Sequence, residues 1–201
     1  MTERIARPLH IQNFVFSAPE NIRSKFVQVT RPAQVTGALG TGYVSVVGLE
    51  AVPFPATKGT ANLDPNRAFS PTAYNSGGGG MSGTIGDYSR FLQMLLNEGE
   101  LDGARVLRAD TVRQMTQNAT GNMPTLRGPG WGYTLGFGIL IDPAAAKSRV
   151  PAGSYGWGGI YGTQFWIDPT NRIVGLVMTQ TAIIGSGAIS NPIREAFYTA
   201  D

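Results

Sequence analysis

Between Gly153 and Thr163 the chain reads Gly-Ser-Tyr-Gly-Trp-Gly-Gly-Ile-Tyr-Gly-Thr, five glycines in eleven residues, and Thr163-Gln164-Phe165-Trp166-Ile167 follows with strand chemistry. Glycine weakens a strand interior, because it adds backbone entropy and brings no side chain to pack. A strand that keeps this many either carries a bulge or has something lying against its bare backbone. We read this one as the edge of a reaction site. Asp168-Pro-Thr-Asn171 then turns the chain into Ile173 to Gln180, and so short a turn requires antiparallel neighbours. Tyr133, Leu135, Phe137, Ile139 and Ile141 alternate, predicting one further strand that ends at Asp142-Pro143. Three strands are thus expected as a meander, with the nearly all-apolar Ile173 to Met178 covered on both faces. Asn191-Pro192 reads as an N-cap with proline at N1, opening a terminal helix whose Ile193, Ala196 and Phe197 face the sheet.

Upstream, the clearest helix follows Asn75-Ser-Gly-Gly-Gly-Gly-Met-Ser-Gly-Thr. Thr84 is its expected N-cap, with Asp87 at the N3 position of a capping box. Ile85, Tyr88, Phe91, Leu92, Leu95 and Leu96 lie on one apolar face, and Gly99 provides the left-handed stop. The four glycines are either a linker or a place of close backbone or substrate approach; no Gly-Lys-Ser/Thr makes them a phosphate loop. Thr2 to Leu9 reads as the end of a helix stopped by Pro8. Phe14 to Ser76 is a loose, proline-punctuated stretch that suggests a pocket wall, with Val44 to Val52 its one strand-like run. Asp102-Gly103 is a tight turn, Asp110 to Gln117 a second helix buried through Val112 and Met115, and 118–132 a loop.

Composition excludes several chemistries. The 201 residues are 42% hydrophobic and 14% charged, enough apolar material for a core and too little charge for disorder. A net charge of +3 without basic runs gives no nucleic-acid footprint. Cysteine is absent, so thiolate catalysis and Cys-based metal sites are excluded. His10 is the single histidine, which disfavours a Ser-His-Asp triad, and no His/Asp/Glu cluster has metal-ligand spacing; we expect neither metal nor cofactor. No stretch approaches the ~20 apolar residues of a membrane span. The start of the chain has no signal-peptide pattern, giving a cytoplasmic expectation if Met1 is the native start.

In this setting the run from Gly77 to Gly99 resembles the serine β-lactamase-related superfamily, nearest to class C-like β-lactamases and family VIII carboxylesterases. The resemblance continues through Glu100-Leu-Asp-Gly-Ala-Arg-Val-Leu and Leu135-Gly-Phe-Gly. It ends with Tyr155-Gly-Trp-Gly-Gly-Ile-Tyr-Gly-Thr and Phe165-Trp-Ile-Asp-Pro. It implies an α/β (α+β) β-lactamase/transpeptidase-like fold, of which residues 1–201 would be the C-terminal portion. Residues 1 to about 130 would be the helical layer and pocket wall, and about 131 to 201 the antiparallel sheet and terminal helix. It also implies a serine of an S-x-x-K motif, acylated and then hydrolysed with help from a Tyr-x-Asn tyrosine. Trp157-Gly158-Gly159 matches the third motif, which lines the site; Ile160 N–H matches an oxyanion-hole donor, and Tyr155 is a further substrate-side candidate.

No serine here is followed by lysine at the third position, Lys58-Gly-Thr is not the strand motif, and Tyr74-Asn75 lacks the intervening residue. No catalytic nucleophile, lysine or tyrosine is therefore identified in these residues. Two functions follow: part of a serine hydrolase for small-molecule esters or lactams, or a non-catalytic acyl- or peptide-binding or partner module. The first expects a missing N-terminal portion, and an oligomer is the alternative cover for its exposed surfaces. Tryptophan in place of lysine favours neutral esters. Asp87 is read as the helix cap and Arg149 as a solvated charge.

Overall fold

The computed structural model describes residues 1–34, 41–53, 59–182 and 189–199. Its first element is a short π-helical turn, Thr2–Ala6, after which the chain reverses through His10 at φ 53° and buries Leu9 completely. The wall region is more ordered than its prolines suggest. β1 (Thr30–Gln34) pairs with β2 (Thr41–Ser45), and β3 (Glu50–Pro53) with β4 (Thr60–Leu63), both antiparallel. The run from Val44 to Val52 is therefore not one strand: it leaves β2 and enters β3. Small two-stranded ribbons bury too little of either face to impose alternation, so no clean period marks them. Arg31 bridges the ribbons, its Nε 2.5 Å from Glu50 Oε2. Lys58 lies outside the described residues.

α1 (Ile85–Leu96) starts where its cap predicts, with Thr84 Oγ1 accepting from Asp87 N–H at 3.1 Å. Asp87 does not fold back in a capping box. Its carboxylate accepts from Gln12 N–H (3.3 Å), Asn13 N–H (3.0 Å) and Asn13 Nδ2 (2.8 Å), pinning the N-terminal segment to the helix start. Burial works against the charged form, but these bonds outweigh it and hold the carboxyl below its ordinary value. Leu92, Met94 and Leu95 are buried, whereas Ile85 is 54% exposed because it occupies the first turn, before the helix meets the sheet. Glu98 and Gly99 both take positive φ at the stop, and a Cβ on Gly99 would strike the Leu107 carbonyl. β5 (Glu100–Leu101) and β6 (Ala104–Arg105) form the hairpin at Asp102-Gly103, and α2 (Ala109–Thr116) buries Val112.

Among the described residues the sheet has five strands, not three. Residues 133–141 split into β7 (Trp131–Tyr133) and β8 (Gly138–Leu140), an antiparallel pair. The Thr134 hydroxyl accepts from Gly136 N–H (3.2 Å) and Phe137 N–H (2.9 Å), so a side-chain-capped turn interrupts the apparent alternation and leaves Leu135 72% exposed at its tip. After α3 (Pro143–Ala146), capped by Asp142, come β9 (Tyr155–Gly158), β10 (Gln164–Asp168) and β11 (Ile173–Val177), in the sheet order β11-β10-β9-β8-β7. β9 pairs with β10 in unbroken register, from Tyr155 opposite Ile167 to Gly158 opposite Gln164. β11 is an edge strand whose residues are all half-buried, not covered on both faces; Val174 and Leu176 pack towards α1.

α4 (Ser190–Phe197) corrects a second expectation. It starts before Asn191, and Ile193 and Phe197 are 48% and 58% exposed. The sheet-facing stripe is Ser190, Arg194 and Tyr198, spaced four apart. Two of them meet partners on the sheet: Ser190 Oγ bonds Gln164 Oε1, and Tyr198 hydroxyl lies 3.0 Å from Asp168 Oδ2 and 3.3 Å from Trp166 Nε1. An apolar stripe would have left Gln164 and Asp168 buried without these bonds.

The main core joins α1 to the sheet through a chain of rings: Phe14, Tyr88, Phe165, Phe137 and Tyr155, with successive centroids 5.4 to 5.8 Å apart. A second core, Val29, Val46, Leu63 and Ala182, takes Ile160 and Tyr161 from the turn after β9.

Two stability outcomes follow. Asp87→Ala leaves the Gln12 and Asn13 N–H groups without their acceptor and should cost about 3 kcal/mol in chemical denaturation. Because the folded carboxyl titrates below its unfolded value, its contribution is present above about pH 4 and is lost as pH falls through the folded value. The variant's stability should accordingly fall less steeply than the parent's in that acid range. Gly175→Ala places a Cβ inside the Trp166 indole and should cost about 1–3 kcal/mol.

Candidate active site

The glycine-rich strand ends in a tight turn. Gly159 N–H donates to Thr163 carbonyl at 2.9 Å, Gly162 N–H donates to Gly159 carbonyl at 3.0 Å, and Gly162 has φ 76°. Ile160 and Tyr161 are the central residues. The Ile160 side chain packs on the second core, while its N–H has no acceptor among the described residues. A donor whose side chain is anchored and whose amide is unused has the character of a preorganised oxyanion donor. Gly158 and Gly159 lie immediately before it, leaving bare backbone where an acyl group could run. A Cβ on Gly159 would approach Thr163 Oγ1 to 2.8 Å.

Trp157 lies beyond the last β8–β9 pair and is 43% exposed. Its ring is 5.7 Å from Tyr133, and the Arg127 guanidinium lies 4.9 Å from its centroid. This is a large, flat surface facing out. Tyr155, two residues earlier, is different: it is 4% exposed, stacked near Phe137, and burial pushes its phenol well above the ordinary tyrosine value. Its ring therefore belongs to the core beneath the wall.

The turn leans on the ribbons. Burial raises the Tyr161 phenol, which has Asp64 and Arg67 among its neighbours. Tyr161 carbonyl accepts from Thr179 Oγ1 (2.6 Å) and Thr181 N–H (3.0 Å). On the far side of Asp64 opens a cleft of about 740 Å³, bordered by Arg67, Ser70, Tyr74, Ser76, Gly78 and Gly79. Arg67 spans it, donating to the carbonyls of Gly80 and Tyr74. The proline-rich wall and the glycine run thus meet in one cleft. The sequence signalled both segments but did not single out Arg67, and it weighed Tyr74 only as a failed match to the tyrosine motif.

The remaining candidates lie elsewhere. Asp87 is engaged as a structural tie. Arg149 is exposed, its backbone N–H donating to Glu195 at 2.8 Å, and His10 occupies an exposed turn. No cluster of three or more metal-ligating side chains occurs among the described residues, and no helix among them is long and apolar enough to cross a membrane.

The family described as Beta-lactamase matches residues 1–197. Esterase EstB of Burkholderia gladioli is 38% identical over 154 residues, covering 75% of this chain and 38% of that protein. Among solved structures, EstCE1, a hydrolase with promiscuous acyltransferase activity, superimposes with a TM-score of 0.81 at 24% identity, covering 98% of this chain and 49% of that one. Simvastatin Synthase (LovD) from Aspergillus terreus gives 0.65 at 19% identity, covering 98% and 48%. The chain spans about half or less of the length of these relatives. With the match running from the first helical turn through α4, the chain belongs to the beta-lactamase family, within the serine β-lactamase-related superfamily that includes the family VIII esterases.

Proposed function

We propose that these residues form the acyl-side wall of a serine hydrolase that cleaves small neutral carboxylic esters through an acyl-enzyme. The unpartnered Ile160 N–H at the end of the bare Gly158-Gly159 backbone carries this reading. A serine hydroxyl, activated by a neighbouring base, attacks the ester carbonyl, and the carbonyl oxygen becomes an oxyanion. Ile160 N–H donates to it, an interaction of about 3 kcal/mol in such sites. The alcohol leaves with a proton, and water then attacks the acyl-serine to release the acid. Neither the S-x-x-K serine nor its lysine lies among the 201 residues, so the nucleophile is assigned to a portion of the protein outside them.

Trp157 is uncharged, and its flat face suits an apolar acyl or alcohol group; it offers no cation for a carboxylate. The esterase name of EstB supports the same substrate class. The second reading, an acyl- or peptide-binding or partner module, draws on the missing nucleophile. The β11 edge offers a place for a strand from another chain or from a further portion of this one.

Two measurements test the proposal. The 201-residue chain treated with a fluorophosphonate probe should take no stoichiometric label; labelling of one serine would place the nucleophile inside it. In the full-length enzyme, kcat/KM for a short neutral ester should fall at least ~10-fold in Trp157→Lys while an anionic substrate improves. Gly159→Val should impair both by ~100-fold, since its side chain fills the acyl path and displaces the Thr163 hydroxyl. Equal effects of Trp157→Lys on the two substrates, or none from Gly159→Val, would remove this strand from the site.

A further inference from the structure

A second feature lies between α4 and the sheet, and it does not depend on the ester reading. Arg194 is 6% exposed, and its Nε–H is buried without a hydrogen-bond partner. Ser154 is 3% exposed, and its hydroxyl is likewise buried and unpartnered. Both line one small, partly open cavity of about 10 Å³, together with Arg127, Trp131, Gly156, Gln164 and Trp166. That volume admits the centre of about one water-sized sphere.

The charge around this cavity is unbalanced. The Arg127 and Arg194 guanidiniums lie 5.0 and 5.7 Å from the Trp131 ring centroid. Arg127 makes no ion pair or hydrogen bond among the described residues; its side chain lies on the bare backbone of Gly138. Burial, with Arg194 adding to it, depresses the Arg127 pKa. Arg194 has one carboxylate, Glu195 at 3.3 Å, which also accepts from Ser148 Oγ at 2.7 Å and Arg149 N–H at 2.8 Å. A buried cation with one already occupied carboxylate thus lies near a half-buried cation that has none among the described residues. Buried charge is costly until it is paired and hydrogen-bonded.

We propose that this cavity binds a single small inorganic anion of chloride size, held by Arg194 Nε–H, the Ser154 hydroxyl and the charge of Arg127. The anion supplies the missing negative charge and an acceptor for both orphaned donors. Sulfate, phosphate and carboxylates are too large for the volume. Because Arg127 also stacks on Trp157, the bound anion lies one side chain beneath the outward-facing tryptophan of β9.

Thermal unfolding of the full-length protein, followed by tryptophan fluorescence, tests this with sodium chloride and sodium bromide replacing sodium gluconate at constant ionic strength. Chloride should raise Tm with the logarithm of its concentration above the dissociation constant, by about 2 °C at tenfold that constant. Bromide should act similarly and gluconate not at all. Arg127→Gln, at a half-buried position without hydrogen bonds, should keep the fold and lose the response. Ser154→Ala should shift the curve to higher chloride. Equal Tm in chloride and gluconate would mean that the cavity holds water and would overturn the proposal. So would an undiminished chloride response in Arg127→Gln.

Discussion

Trp166 can lie flat across β11 because residue 175 is glycine; a side chain there would occupy the space of the indole. Gly156, on the other neighbouring strand, is equally bare, and a Cβ there would strike the Phe165 carbonyl. These two positions let the ring cover the sheet and present its N–H to Tyr198. Tyr198 in turn bonds Asp168, which also closes the β10–β11 turn by accepting from Thr170 and Asn171 N–H at 2.9 and 3.1 Å. Burial, with Asp168 nearby, pushes the Tyr198 phenol up to about 12, so it remains a neutral donor across the working pH range. The register of α4 on the sheet follows from this set of contacts, and with it the placement of Ser190 and Arg194.

The opposite face is organised by rings. Tyr88, on α1, touches Phe14 before it in the chain and Phe165 on the sheet, and burial pushes its phenol up to about 12. Asp87, its neighbour, holds Gln12 and Asn13. One helical turn therefore fixes both the N-terminal segment and β10. Phe137 and Tyr155 extend the contact to β9, so the strand that bears Trp157 is supported from below by core aromatics. Tyr155 serves the wall by supporting it.

The turn after β9 has to satisfy two demands. Its side chains must anchor it to the ribbons, and one backbone N–H must stay unused. Ile160 meets both, because its side chain enters the Val29–Leu63 core while the turn geometry spends the Gly159 and Gly162 amides on bonds within the hairpin. Tyr161 packs on the same core, with Asp64 of the 740 Å³ cleft among its neighbours.

Much of this was legible in the chain itself. The Thr84 cap, the Gly99 stop, the Asp102-Gly103 turn, the Asp168 turn and the glycine-rich strand all rest on groups within a few residues of one another. Such interactions are written in local order, and the motif Trp157-Gly158-Gly159-Ile160 was readable for the same reason. What the sequence could not determine was decided by partners far away in the chain. The run 133–141 looked like one alternating strand, yet Thr134 caps a turn there and Gly138 pairs with Gly156. The terminal helix was expected to turn Ile193 and Phe197 inward, but it buries Ser190 and Arg194 and sets Tyr198 against the sheet, where Gln164, Trp166 and Asp168 present polar groups that require bonding. Hydrophobic periodicity ranks faces by their aversion to water. Only the assembled sheet decides that satisfying buried polar groups outweighs burying one more apolar side chain.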